Sequence, residues 1–204
     1  MFHSGIKAAA LIEDIKNEVD VALPIENRLY VQWINATEQM LYTEIIKEQH
    51  DIFVPFPDDD VIDLSQLVVE YNQGSIKFDD IYAVYCDDKQ LIHTTLTSGK
   101  IFNDTYYKNN DNLCLNVENE SDSSIRIVYF IRPLLKSVDK NGNVQDSEIM
   151  LPIEFIELIK AKLRGEAYRI MNENTYAANW LAEYNMLLEN FKAWIEYRKP
   201  QFGI

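Results

Sequence analysis

Apolar residues return at helical spacing at both ends of this chain, and short alternating runs lie between them. The helical stretches run from about Ile6 to His50 and from Pro152 to Lys199, with roughly a hundred residues of strand pattern in the middle. In the first stretch, Ile6, Ala9, Ala10, Ile12, Ile15 and Val19 make one stripe. Leu23-Pro24 then ends the helix, because the residue before a proline is disfavoured in the α conformation. A second helix follows with Leu29, Tyr30, Trp33, Ile34, Met40, Leu41 and Ile45, stops near His50-Asp51, and is long enough for about six turns. Leu151-Pro152 opens a third helix with proline in its first turn, and Ile153, Ile156, Ile159, Leu163, Ala167 and Ile170 form its predicted buried face. The polar run Asn172-Glu173-Asn174-Thr175 reads as a tight turn, with Asn174 or Thr175 capping a fourth helix. That helix carries Tyr176, Trp180, Tyr184, Leu187, Leu188, Phe191, Trp194 and Ile195. Each helical pair shows an apolar stripe too wide for a two-helix hairpin to cover, so the two pairs are expected to form one bundle, with Trp33, Trp180 and Trp194 in its core.

The middle of the chain begins with Ile52-Phe53-Val54-Pro55-Phe56-Pro57 and three aspartates, a combination that excludes a regular central element and reads as a linker. Strand-favouring runs follow, each closed by turn chemistry. They are Val61 to Tyr71 before Asn72-Gln73-Gly74, Ile81 to Cys86 before Asp87-Asp88, Leu91 to Thr97 before Ser98-Gly99, Leu113 to Val117, and Ser124 to Ile131 before Pro133. The last run alternates regularly with apolar residues on both faces, the pattern of a central strand. Val138 to Asn143 reads as a hairpin or loop. The fold class expected is α+β: a four-helix bundle made by the N- and C-terminal segments, carrying an inserted antiparallel, β-rich, sandwich-like domain. The divisions are an N-terminal helical pair over 1–50, the insert over 51–150, and a closing helical hairpin with a short tail over 151–204.

Composition narrows the chemistry. The chain has 204 residues, 47% of them hydrophobic, enough for a sizeable core. With 33 acidic against 19 basic residues its formal charge is −14, which repels a phosphate backbone and favours a basic partner surface if it favours any. Cys86 and Cys114 sit in strand patterns and read as small buried apolar residues. Neither they nor His3, His50 and His93 have zinc-ligand spacing. No apolar run approaches the ~20 residues that span a bilayer, and Met1-Phe2-His3-Ser4 has no signal-peptide character, so a soluble protein made in a reducing cytoplasm is expected. Nucleophile-elbow, phosphate-loop, dinucleotide and zinc-protease motifs are all missing from a sequence with only six glycines. The pairs and triplets Asp58-Asp59-Asp60, Asp79-Asp80 and Asp87-Asp88 read as solvated turns, and Asp139 to Asn143 as a hairpin turn more than part of a calcium loop. The histidines form no acid–base constellation. No catalytic residue, cofactor or metal is expected. Two other classes stay open: a small metal-assisted hydrolase using the carboxylates of Asp58 to Asp60, and a monomeric interaction module.

Two runs carry a family likeness. Tyr30-Val31-Gln32-Trp33-Ile34-Asn35, continued by Glu38-Gln39-Met40-Leu41-Tyr42, is followed by a β-rich insert ending in Ile127-Val128-Tyr129-Phe130-Ile131-Arg132-Pro133. Then comes the Leu-Pro start of a closing helical hairpin. In this order the parts resemble tailed-phage head-to-tail adaptor proteins. The insert is longer and richer in strands than in the minimal helical adaptors, which leaves the layer of the neck open. The resemblance implies a structural virion protein in the neck between capsid and tail, assembled in the host cytoplasm. It implies a homo-oligomer, a dodecameric ring beneath the portal protein and against an adjacent tail or neck protein, with DNA only as transient channel cargo and no membrane. Pro200 is expected to end the fourth helix. Phe202 and Ile204 on the tail beyond it, with Arg198 and Lys199 just before it, are then the candidate partner-interface residues.

Overall fold

A computed structural model describes residues 2–19, 24–69, 74–95, 103–118 and 123–202, with the side chains of the last helix given as far as Arg198. The chain divides into two units, one joining Met1–Ile46 with Pro133–Ile204 and the other spanning Lys47–Arg132. The described residues are mixed α and β, with four α-helices and antiparallel sheets. The predicted turn residues Leu23, Asn72, Gln73, Ser98 and Gly99 lie outside the described residues.

In the first unit the apolar stripes become buried faces. Helix α1 (Ala8–Glu18) buries Leu11, Ile12 and Ile15, and α2 (Asn27–Met40) buries Tyr30, Val31 and Ile34. Pro152 precedes a short 3-10 turn over Ile153–Phe155, and α3 (Ile156–Ile170) begins there. Because α3 packs against α1, α2 and α4 (Asn174–Phe202), it buries Leu158 and Ala161 beyond the predicted Ile156, Ile159, Leu163 and Ala167. Ile153 and Ile170, at the two ends of the predicted face, are exposed. Gly165 sits at the closest approach of α3 to α4, where an added Cβ would come 2.8 Å from Leu181 Cγ. On α4, Tyr184, Phe191 and Ile195 are buried as the spacing predicts, while Tyr176 is exposed and stacks on Tyr168 at 5.3 Å. The three tryptophans lie at the margin of this core, half-buried. Trp33 meets the edge of Tyr30, Trp180 lies under the Arg164 guanidinium, and Trp194 packs against Phe155 and Phe191.

Pro133 to Met150 clusters with the helices, although its residues read as the end of the insert. It is pinned by polar groups that periodicity does not reveal. The Asn35 side chain closes on the backbone of Lys136, accepting from its N–H at 2.9 Å and donating to its carbonyl at 2.8 Å. Gln39 donates to the Pro133 carbonyl at 3.1 Å. Lys136 Nζ meets the Glu38 carboxylate with both side chains only 1% exposed, and the other Glu38 oxygen accepts from Met150 N at 2.7 Å. Burial pushes the Glu38 carboxyl above its ordinary range, and Lys136 and the Met150 amide pull against that shift. Farther along, Ala8 N donates to Ser147 O and Ile149 N to Ile6 O, so the segment is stitched to the lead-in of α1 as well.

Helix α2 passes into a π-helix over Leu41–Ile46, and Lys47, at φ 51°, stops it short of the expected end near His50. Thr37 and Thr43 donate to the carbonyls of Trp33 and Gln39, a back-bonding that competes with the regular ladder and loosens it. In the second unit, β1 (Gln49–Pro55) occupies part of the stretch read as a linker. It is a strand because it lies at an edge, paired with β10 (Ser124–Phe130) alone, with Pro55 at its last position, where a missing donor is tolerated. As predicted, β10 is central, flanked on its other side by β5 (Ile81–Cys86), with β6 (Lys89–Gln90) beyond it. The second sheet runs β2 (Val61–Asp63), β9 (Asn112–Asn116), β8 (Thr105–Asn109), β7 (Ile92–His93), with β7 parallel to β8 and the other pairs antiparallel. A small antiparallel pair joins Val68–Val69 to Gly74–Ser75. Strand β8 escapes a periodicity reading because Thr-Tyr-Tyr-Lys-Asn has no apolar alternation, yet its neighbour and the Asn110 turn at φ 56° place it. Both larger sheets feed one hydrophobic cluster, with Val84, Ile125 and Ile127 from the first and Ile62, Leu113 and Leu115 from the second.

Two stability predictions follow from this packing. Lys136→Met strands the buried Glu38 carboxylate and should cost about 3–5 kcal/mol in urea unfolding, and Glu38→Gln a similar amount. The double variant should lose clearly less than the sum, so additive losses would contradict a coupled pair. Gly165→Ala gains about 1 kcal/mol of helix propensity but forces Leu181 aside, and overpacking of about 1–3 kcal/mol wins. A lower midpoint at unchanged slope is expected, and a stabilised variant would show that α4 gives way freely.

Candidate functional site

The last turns of α4 are where the tail residues were expected to act. Among the described side chains, buried positions on this helix end at Ile195, after which Tyr197 is 76% exposed and Arg198 lies over the Trp194 ring at 4.4 Å. The helix does not end at Pro200 but continues to Phe202. A proline in the final turn forfeits one backbone hydrogen bond and crowds the carbonyl four residues before it, a cost confined to the end of the helix. The side chains of Lys199 and Phe202, and all of Ile204, lie outside the described residues, so Arg198 is the one candidate whose side chain is placed. It is held on its own helix by the Trp194 ring.

A second feature had no sequence signal. Arg28, Val31, Gln32 and Asn35 stand at one-turn spacings on α2, and the segment Lys136 to Lys140 faces them across a cleft of about 470 Å³. The far wall is rigid for local reasons. Val138 bridges to Val144, and the Asp139 carboxylate closes the turn by accepting from Asn141 N, Asn143 N and Asn143 Nδ2 at 2.8–3.0 Å. The Asn143 side chain above all, with the backbone amides, holds the Asp139 carboxyl below its usual range. Asn27 ties the loop to α2 by donating to Gly142 O at 2.9 Å. With Asp139 engaged in its turn, Arg28 and Lys140 have no acidic partner among the described residues. Most other described cations do: Lys7, Lys89, Arg126, Arg132, Lys160, Lys162, Arg164 and Lys192 all meet carboxylates. Neither residue was singled out from the sequence, because an exposed arginine at a helix start and a lysine in a turn look ordinary until the fold brings them together.

The carboxylate runs fall in different settings. Asp58 and Asp59 are the exposed tip of a β-turn closed by Asp60 N to Pro57 O at 3.3 Å, and Asp60 leaves it at φ 57°. Asp80, read as solvated, is instead buried in ion-pair contact with Arg132, and burial raises its carboxyl against the pull of that arginine. Asp79 reaches Lys108 at 3.6 Å, and Asp87 accepts from Ser124 N at 2.9 Å. The histidines stay apart: His3 lies 3.4 Å from Glu148, His50 2.9 Å from Glu48, and His93 packs against Phe78 and Tyr106. Cys86 and Cys114 are buried and form no disulfide. Among the described residues no three His, Cys, Asp or Glu side chains are grouped to hold a metal ion, and no helix is long and apolar enough to cross a membrane. No protein-family model matches the chain, and no curated protein matches it.

Because the last described buried residue of α4 is Ile195, ending the chain after Lys199 should change unfolding stability by no more than about 0.5 kcal/mol. A cooperative melt close to that of the full chain is the expected result. A loss of several kcal/mol would show that the final residues belong to the subunit's own core.

Proposed function

We propose that this protein is a structural virion subunit, a head-to-tail adaptor of a tailed bacteriophage that forms a ring beneath the portal, joins capsid to tail and lines the DNA exit channel. The four helices are read as one bundle and the inserted unit as a sandwich-like domain. The observation that carries this reading is the discontinuous plan. Both ends of the sequence build one helical unit, interrupted in the chain by a β-rich unit, with the Tyr30-to-Asn35 run on α2 before the interruption, Arg132-Pro133 at its end and Leu151-Pro152 after it. The negative charge supports the same reading, because an acidic wall lets DNA pass without adhering. The turn holding Asp58 to Asp60 is exposed and lends nothing to the hydrolase alternative.

The test is mass and shape in solution. Light scattering and native mass spectrometry of the purified chain should give a single closed oligomer, expected to be a dodecamer, and negative-stain images should show rings with an open centre. A strictly monomeric protein at high concentration, alone and with a portal ring added, would overturn the reading.

A further inference from the structure

We propose that the cleft between α2 and the Lys136-to-Lys140 segment receives the Asp58–Asp60 turn of a second copy of this chain. The proposal rests on the ring reading and names the contact that would build the ring.

The argument is one of unmatched charges. Most of the basic side chains among the described residues meet a carboxylate of their own chain, and the few that do not are mostly single and scattered. Arg28 and Lys140, without an acidic partner among the described residues, are set apart by lining the same cleft. The wall between them is apolar at Val31 and Val138, so a carboxylate held there would lose part of its water and interact more strongly than on open surface. Arginine adds a planar fork that grips a carboxylate with two hydrogen bonds. The chain's densest run of unmatched anions is Asp58-Asp59-Asp60, all three exposed and without an ion pair among the described residues.

The run also has the right shape. Pro55 and Pro57 stiffen its approach, and the hydrogen bond from Asp60 N to Pro57 O presents Asp58 and Asp59 at the tip of a tight turn. Little conformational freedom is then left to lose on docking. The two surfaces are different patches of the molecule, so the contact is head-to-tail. Such a contact repeats until the rotation closes, and a closed rotation is a ring. A phosphate ligand fits the cleft less well, since the field of a −14 chain opposes its approach.

Two charge-reversed chains test this directly: one carrying Arg28→Glu and Lys140→Glu, the other Asp58→Lys, Asp59→Lys and Asp60→Lys. All five residues are exposed, so both chains should keep the wild-type circular dichroism and melting; should either misfold, the milder Gln and Asn replacements take its place. Alone, each should sediment as a monomer where the wild type is a ring, with association roughly a hundredfold weaker. Mixed, they should associate again, as one-to-one pairs or alternating assemblies, because the acidic turn of the first meets the basic cleft of the second and the two reversed surfaces are themselves of opposite charge. The wild-type assembly should also loosen as salt rises from low ionic strength. If either variant assembles like the wild type, or the mixture fails to pair, this contact is wrong while the ring reading stands. A wild type that never associates overturns both. Stabilisation of the wild type by inorganic phosphate, lost in the Arg28 and Lys140 variant with assembly unchanged, would replace the self-contact with a phosphate site.

Discussion

The helical unit depends on one buried ion pair. Glu38 and Lys136 are nearly inaccessible to water, and in such a place a lone charge costs several kcal/mol while a matched pair with further hydrogen bonds can approach neutrality. Here the remaining capacity of the carboxylate is used by the Met150 amide, and the backbone of Lys136 is closed by Asn35. The pair therefore contributes more to uniqueness than to net stability. Sliding the returning segment along α2 by one residue would bury an ammonium against apolar atoms, and only one alignment escapes that cost.

A second charged group ties three helices. Arg164 on α3 binds Glu18 at the end of α1, reaches Glu157 on its own helix at 3.2 Å, and stacks over Trp180 of α4 at 4.5 Å. Half-buried aromatic rims of this kind accept a guanidinium because the ring face offers negative quadrupole where water is scarce. The tryptophans are thus less a hydrophobic centre than a seam where apolar core and charged surface meet.

What could be read in advance follows from which signals are local. The stripes of α1, α3 and α4 were legible because their burial follows helical spacing, and β10 because its alternation survives in a central strand. The ends of α3 and α4 misled for the same reason: Ile153, Ile170 and Tyr176 continue the stripe past the point where a neighbour covers it. β1 was hidden by Pro55 at its end and Pro57 just beyond, which exclude a central strand but not an edge one, and β8 by its polar sequence. The returning segment and the cleft beside it were illegible in principle. Asn35, Glu38, Arg28 and Lys140 acquire meaning only from residues distant in the chain, and a single sequence carries no record of that pairing.

The insert also has a bearing on how the chain folds. Its ends are partners in its own sheet: β1 pairs with β10 from Gln49 opposite Phe130, and Ile131 N donates to Glu48 O at 3.0 Å. An unfolded stretch of this length would charge the helical halves an entropy of loop closure on the order of 4 kcal/mol before they met. Once the β1–β10 ladder forms, the chain leaves the insert about one strand spacing, roughly 5 Å, from where it entered. A long interruption is thereby reduced to a short tether. α3 then reaches α1 and α2 almost as the next helix in an uninterrupted chain would, and variation in the insert's interior can proceed with little effect on how fast the ends find each other.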